Sequence, residues 1–528
     1  MFGAIDIGVV GSATSAVCLI DALSQVGGPP GGISLFDPSP HLWRGRAYQH
    51  DAHTMRVNVP PADMSVRYGD PGHFERWLDA WDTRDAGEDV DCWSGARFVP
   101  RTVFGDYLEH TAGVALARLR QHGWRINLVR AGVKAAVRTD DRVVLVTEHG
   151  KHRAVDYAVL CVGGGRPQDA YGLSGTRNYI EEPYPVSRTL NGLGIDDHVA
   201  ITGSGLTAID VVVALVARGH RGRISLLSRR GALPGVRQRP VPYELRLFTA
   251  ERFRRLAMHD KTVTVDDLVA LMRAELAGAG EQLAEIIDEV AGVEAEQPIT
   301  RLRRQLDSVN APHLGLRILQ HAVAETGPDV WPLLSERDKV KLLRTHYRTI
   351  MSLCCPMSSA SATTLLRLID SGQLDIVADL QRIEPLRKDG FRIVTAHGEL
   401  TAEHVINAMG APSHRIPTMA APLVTSLLTG RAASCHPHGG LHVERATSRL
   451  TVEGNADPRL YALGDLAAGT LFFTFGIPSL VDRSHDIVHA IRSDLARSLV
   501  SQTTGVFQSP QRSPAPDRHL DERNEKAL

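Results

Sequence analysis

Two runs of small residues stand between an apolar segment and a helical pattern. The first is Gly11-Ser12-Ala13-Thr14-Ser15-Ala16, after Ile5 to Val10; the second is Gly203-Ser204-Gly205-Leu206-Thr207-Ala208, after His198 to Thr202. A strand–turn–helix of this kind can bind a pyrophosphate. The first-turn amides point at it carrying partial positive charge, and small residues let the backbone approach. The second run keeps the G-x-G-x-x-A spacing throughout, whereas Ala13 replaces the middle glycine of the first, the position closest to the phosphates. An ordinary buried βαβ unit would also carry the first pattern.

The strand that follows each turn ends differently. Ile33 to Asp37, ISLFD, offers a carboxylate to ribose hydroxyls, while Ile224 to Ser228, ISLLS, ends in Ser228 followed by Arg229 and Arg230. A carboxylate would repel a 2′-phosphate and a serine with two arginines would hold one, so the second site is expected to take NADPH. The other reading of the arginine pair is a solvated basic turn. Near the far end of the chain, Leu460 to Asp465 (LYALGD) runs a strand into Gly464-Asp465, and a helix follows from about Gly476. Paired with the first turn, this reads as the second half of an FAD site.

These turns need elements to position them. Gly132 to Gly163 carries short β-patterned runs with turns at Asp140-Asp141 and His149-Gly150, and a similar pattern returns from Ile383 to Gly410. Between the second turn and that second meander, about 243–371 is helical in pattern. One helix is well marked there: Thr264 caps it with Asp267 three residues on, and Val265, Leu268, Val269, Met272 and Leu276 share a face. The motif order predicts an α/β fold of two dinucleotide-binding, Rossmann-like domains of the glutathione-reductase type. Residues 1–194 and 413–500 would form the FAD domain and 195–412 the NADP domain, with the helical insertion at about 243–371. The polar tail, 501–528, is expected to be disordered.

Composition bounds the partners. Of 528 residues, 59 are Lys or Arg and 60 Asp or Glu, so no global field exists to hold nucleic acid or an anionic membrane. No apolar run approaches the roughly 20 residues of a membrane span. Met1 to Ile5 lacks a basic n-region, and six cysteines in such a chain do not make a disulfide framework. A soluble, cytoplasmic protein is expected.

Longer segments carry a resemblance. RGRAY (Arg44 to Tyr48), VNVPPADMS (Val57 to Ser65), DPGHFERWL (Asp70 to Leu78), FVPRTVFGDYL (Phe98 to Leu108), GSGLTAIDV (Gly203 to Val211), SRRGALP (Ser228 to Pro234), VINAMG and LYALGD together resemble the bacterial FAD-NAD(P)-binding oxidoreductases. That family is related to class B monooxygenases and to amino-acid N-hydroxylases, including a branch that forms nitrosuccinate from aspartate. The resemblance implies FAD and NADPH as cofactors, with a small-molecule substrate and O₂ as reaction partners. It extends the cofactor-binding set beyond the two turns, Asp37, Ser228, Arg229, Arg230, Gly464 and Asp465 to Arg46, Asn58, Met64, Val133, Gly163 and Thr474. Asn58 to Ser65 reads either as a loop packed on the isoalloxazine or as a structural Pro-turn. One departure is Ser352 to Met357, SLCCPM, where the family leads one to expect His and Arg side chains.

The implied chemistry is hydride transfer from NADPH to flavin N5, then attack of an amine, or of a sulfide or enolate-like carbon, on a C4a-hydroperoxide. N-oxygenation of an amino acid or related amine is the reading favoured by the resemblance. It requires neither a Ser-His-Asp triad nor a metal, and the sequence offers neither; His436-Pro437-His438 reads as a loop. A flavin disulfide reductase would need a short-spaced cysteine pair, but the nearest pair, Cys354-Cys355, is directly adjacent and reads as small buried side chains. A non-catalytic flavin-binding protein is the third alternative.

Overall fold

The chain's computed structural model describes residues 5–27, 29–410, 415–474 and 476–505, with side chains as far as residue 497. Strand β1 (Asp6–Val10) is followed by the helix Thr14–Gln25 and by β2 (Gly32–Phe36), and β3 (Arg125–Val129) comes after the long helix Arg101–Gln121. An antiparallel meander of β4 (Val133–Arg138), β5 (Val143–Thr147) and β6 (His152–Val155) then leads into β7 (Tyr157–Leu160). Farther on lie β8 (Tyr179–Ile180), β9 (Val199–Thr202), β10 (Ile224–Leu227) and β11 (Leu374–Val377). A second meander of β12 (Leu380–Pro385), β13 (Phe391–Thr395) and β14 (Gly398–Ala402) precedes β15 (His404–Asn407). The last strands are β16 (Arg449–Val452) and β17 (Asn455–Ala462).

Two larger sheets result. One has the order β16-β17-β7-β1-β2-β3, so a strand from beyond residue 454 lies beside β7, two places from β1. The other has the order β11-β10-β9-β15-β8, all parallel. Central strands buried on both faces need apolar residues at consecutive positions, and β1, β7, β9 and β10 have them: Val9, Val159, Ile201 and Leu226 are each fully buried. The architecture is thus α/β with parallel sheets. The described residues up to Val488 form one compact unit and those from His489 another.

From β10 to β11 the chain is helical between Ala250 and Asp370. Glu275 fixes the entry to this segment. Its carboxylate accepts the backbone N–H groups of Arg246, Leu247 and Phe248 at 3.0, 2.6 and 2.8 Å, and the Tyr243 hydroxyl at 2.8 Å. The expected helix is Val265–Gly278, with Thr264 and Asp267 exchanging the two hydrogen bonds of a capping box. Met272 and Leu276 are buried on its inner face, but Val269, expected to share that face, is 37% exposed because its neighbours there cover only one stripe. At the C-terminus the helix Ile477–Gly505 runs past Ser501, where disorder was expected to begin; residues 506–528 of that tail lie outside the described residues.

A buried ion pair ties the first residue of the long helix to the helix after β9. Arg101 Nη2 lies 2.8 Å from Asp210 Oδ2, both side chains being largely buried, and the Tyr184 hydroxyl also donates to Asp210. Burial opposes the Arg101 charge, yet the Asp210 carboxylate and Tyr184 outweigh it and hold the guanidinium protonated well above its ordinary range. Arg101 further donates to the carbonyl of Arg56 at 3.2 Å. Removing one partner of such a pair leaves an uncompensated buried charge. Asp210→Ala is therefore expected to lower stability by about 3–5 kcal/mol in urea unfolding, and Arg101→Met combined with Asp210→Leu to recover most of it. A single-variant loss below about 1 kcal/mol would mean the pair behaves as a surface bridge.

Candidate functional site

The two small-residue turns are built alike. Gly11 has φ +99° and its amide donates to the carbonyl of Phe36, at the end of β2, at 2.9 Å; Gly203 has φ +109° and donates to Leu227, at the end of β10, at 2.8 Å. A Cβ at Gly11 would lie 2.4 Å from the carbonyl oxygen of Cys161, and one at Gly203 would lie 2.8 Å from that of Ala408. Glycine is needed at both for its backbone angle and for the close approach of the strand end. The helices that follow begin at Ala13 and Gly205, neither of which supplies a side-chain cap. Their first-turn amides are thus left for an anion.

Ala13, the departure from the glycine pattern, has a steric answer in the fold. A Cβ on Gly45 would lie 2.8 Å from the Ala13 methyl, and Gly45 has φ +58°. The methyl fills the space that a side chain at residue 45 would need.

The first turn borders a cavity of 1090 Å³. Gly11, Ser12, Ala13, Thr14, Asp37, Arg46, Val133, Gly163, Asp465 and Thr474, all expected cofactor residues, line it together. Ser15 and Ala16 lie behind the wall in the first helical turn. Ser15 Oγ is 3.2 Å from where a Cβ of Gly464 would stand, so the Gly464-Asp465 turn packs directly on the N-terminal helix. Asn58 and Met64 lie off this cavity. The Asn58 side-chain amide donates to the carbonyl of Pro356 at 3.1 Å and Met64 is 3% exposed, so the Pro-turn reading fits their segment better.

Asp37 and Arg46 already have protein partners. Ser12 donates its amide and its hydroxyl to Asp37 Oδ2, each at 2.8 Å, and the Ser39 amide donates to Oδ1 at 2.8 Å. Asp37 thereby holds the turn in place, and a carboxylate's roughly four lone-pair sites leave capacity for a ligand hydroxyl. Arg46 is bidentate to Glu182 at 2.9 and 2.8 Å and lies over the Tyr184 ring, a charge-neutralised wall rather than a bare phosphate ligand.

Two polar groups that line the cavity lack partners among the described residues. Thr474 Oγ1 is buried without a hydrogen bond, and no hydrogen bond or ion pair reaches the Asp465 carboxylate. Burial alone pushes Asp465 up to about 6. Orphaned acceptors beside a turn whose amides face inward suit a ligand bearing both hydroxyls and phosphates. The cavity is also lined by Tyr347 and Met351, on the helix Tyr347–Cys354, and by Phe472. Sequence reasoning missed these three. Tyr347 and Met351 are four residues apart on one helix face, but only the packing tells which face turns to the cavity.

The second turn has its own surroundings. Ser204 Oγ donates to the carbonyl of Ala232 at 2.6 Å, and Ser228 Oγ accepts the Gly231 amide at 2.8 Å, which fixes the turn carrying Arg229 and Arg230. Leu206 and Thr207 open the helix after it. Arg230 faces Glu294 at 3.4 Å, both being exposed, while Arg229 has no ion-pair partner among the described residues. A third arginine, Arg348, was not foreseen: burial lowers its pKa first, and the nearby charges of Arg229 and Arg230 lower it further.

Cys354 and Cys355 do not suit thiolate chemistry. Burial pushes Cys354 and Cys355 up, the latter to about 11 with Arg237 pulling slightly the other way, so both are thiols at neutral pH. Among the described residues, the one group with metal-ligand spacing is Glu281, Glu285 and His313, largely exposed and away from the cavity. No described helix is long and apolar enough to cross a membrane.

Residues 8–165 match the model of the FAD-NAD(P)-binding family. This segment is a dinucleotide-binding one. No curated protein matches the chain by sequence. Among solved structures, the fold resembles the ornithine N-hydroxylase of Kutzneria sp. 744, with a TM-score of 0.54 and 13% identity over 93% of this chain and 100% of that one. It resembles the FAD-bound cadaverine monooxygenase of Erwinia amylovora similarly, with TM-score 0.54 and 12% identity over 98% and 100%. The L-lysine 6-monooxygenase of Pseudomonas syringae has a TM-score of 0.52 and 15% identity over 93% and 99%. These likenesses establish the shared α/β fold.

The raised Asp465 gives a pH dependence with a definite sign. Ligand hydroxyls donating to the carboxylate favour its ionised form, so binding lowers its pKa and releases a proton. FAD affinity of the apoprotein should rise with pH by up to about tenfold per unit until about pH 6, then level off. Fluorescence titrations from pH 5 to 8 measure this, and Asp465→Asn should flatten the profile. A profile unchanged in Asp465→Asn would remove Asp465 from the binding site.

Proposed function

We propose that this chain is an FAD- and NADPH-dependent monooxygenase that N-oxygenates the amine of an amino acid or related small molecule. The observation carrying this reading is that one cavity is bordered at once by the Gly11 turn, by Asp465 and by Tyr347 and Met351 of the helical segment. A dinucleotide cradle lined also by a separate helix is an arrangement in which a substrate can meet a flavin. The solved structures of similar fold include an ornithine N-hydroxylase, a cadaverine monooxygenase and an L-lysine 6-monooxygenase, which supports an amine as the substrate.

On this reading the FAD domain is 1–194 with 413–500, and the NADP domain is 195–412 with the helical insertion. Both are of the dinucleotide-binding, glutathione-reductase type. The amides of the Gly11 turn hold the FAD pyrophosphate, while Asp37, Asp465 and Thr474 accept or exchange hydrogen bonds with its hydroxyls. Tyr347, Met351 and Phe472 exclude water at the reacting end. Gly203 to Thr207 hold the pyrophosphate of NADPH, and Ser228, Arg229 and Arg348 surround its 2′-phosphate. When bound, FAD accepts hydride from NADPH and activates O₂ for transfer of one oxygen atom. The balance is amine, O₂, NADPH and a proton giving hydroxylamine, water and NADP⁺.

The purified protein should be yellow, consume NADPH and O₂ together, and do so faster with a suitable amine, with mass spectrometry finding one added oxygen in the product. Hydrogen peroxide alone from every amine, with a ketone or sulfide oxygenated instead, would overturn N-oxygenation. Oxidised flavin that persists under excess NADPH would point to a non-catalytic protein.

Nucleotide preference gives a separate test. A charge-assisted hydrogen bond from arginine to phosphate contributes about 1.5–3 kcal/mol. Arg229→Ala should raise the NADPH KM roughly 10- to 150-fold and leave the NADH KM nearly unchanged. Arg230→Ala should have the smaller effect, because Glu294 already faces that side chain. Stopped-flow flavin reduction with both nucleotides decides the matter, and equal losses for NADPH and NADH would make the pair structural.

A further inference from the structure

Arg237 carries a charge that the fold does not answer. Its backbone is fixed by its amide donating to the carbonyl of Met357 at 2.8 Å, and its Nε donates to the carbonyl of Asn58. Beyond that bond, neither terminal nitrogen has a protein hydrogen bond, and no carboxylate lies within ion-pairing distance among the described residues. Other arginines with little exposure have acceptors: Arg44 holds Asp106 and Glu109, Arg101 holds Asp210, and Arg301 holds Glu289. An arginine has five N–H donors in a planar fork suited to a carboxylate, and here four of them are left for something else. Burial lowers the Arg237 pKa, opposed chiefly by the charge of Asp63, and Asp63 and the Cys355 side chain both lie near it.

Its position is informative. Cys355 follows Met351 by four residues, and its amide donates to the Met351 carbonyl at 3.0 Å. At 1.5 Å per residue, Cys355 therefore lies about 6 Å along the helix from the edge of the cavity. Asn58 and Asp63 come from the segment on the other side. Asp63 also acts electrostatically on His321, whose ring is 2.9 Å from Glu325. Arg237 thus lies near the end of the helix whose Tyr347 and Met351 line the dinucleotide cavity, with Asp63 among the charges around it.

We propose that Arg237 anchors the carboxylate of the substrate, which makes the substrate an amino acid rather than a simple amine or diamine. This rests on the monooxygenase reading for the fate of the amine, but the anion site itself does not. The carboxylate pairs bidentately with the two terminal nitrogens, and the rest of the molecule extends toward Met351. The other anion that could meet this arginine is a phosphate of the nicotinamide nucleotide, and the experiment separates the two.

In the FAD-loaded protein, calorimetry would follow butyrate, inorganic phosphate and NADP⁺ binding to wild type, Arg237→Gln and Arg237→Lys. Butyrate should bind the wild type, weaken at least tenfold in Arg237→Gln and be partly restored in Arg237→Lys, with NADP⁺ unchanged throughout. Under turnover, ornithine or lysine should lose efficiency in Arg237→Gln through KM, while putrescine or cadaverine, which lack only the carboxylate, should not. Arg237→Gln should melt no lower than wild type, since it removes an unanswered charge; a lower melting temperature would assign Arg237 a structural role. Weakened NADP⁺ or phosphate binding with butyrate unaffected would also overturn the proposal, as would equal losses for ornithine and putrescine. Butyrate binding that depends on Arg237 in a protein that oxygenates no amine would leave the anion site standing and remove the reaction.

Discussion

The contact between Arg101 and Asp210 is the constraint on which the arrangement depends. Arg101 begins the long helix beside the first sheet, and Asp210 sits in the first turns of the helix after β9 in the second. Each charge is mostly removed from water and is tolerable there only while the other is present. Tyr184 completes the pair, and the same ring lies under Arg46 on the cavity wall. One buried cluster therefore fixes how the second turn's helix is presented to the first sheet and at the same time shapes one side of the cavity. A hydrophobic contact of equal area would be less particular about angle, because charge-assisted bonds are directional.

Much of this was legible in the sequence because it follows from local rules. The two turns could be read because a strand end, a positive-φ glycine and an uncapped helix leave a recognisable signature of small residues. The meanders could be read from alternating burial and from Asp-Asp and His-Gly turns. Thr264 and Asp267 announce a helix start through a two-way hydrogen bond that spans only three residues. What could not be read depends on distant packing. Tyr347 and Met351 come to the cavity from the helical segment and Phe472 from the turn after β17, and nothing in their own neighbourhoods specifies that. The roles of Asp37 and Arg46 are also not local: the partner of Arg46, Glu182, is 136 residues away.

Asn58 and Met64 show the limit of reading by resemblance. Their segment was legible as unusual, but the structure leaves them off the cavity, with Asn58 joined to Pro356. Arg237 shows the opposite case. It belongs to no motif, yet the absence of an answering carboxylate around it is visible once side chains are placed. A missing partner has no sequence signature.

Gly45 bears on how such sites are found at all. Its nearness to the Ala13 methyl makes the two positions a lock and its tongue: bulk at one is permitted only by emptiness at the other. The glycine that a fingerprint search expects at the turn has in effect moved to a neighbouring loop, and the void it guarantees has merely changed owner. A search scored on spacing along the chain would discard this turn, whereas one scored on the space around it would keep it. A side chain at 45 is barred twice over, by the Ala13 methyl and by the left-handed backbone there, so the alanine in the turn is tolerated only beside a glycine in the loop.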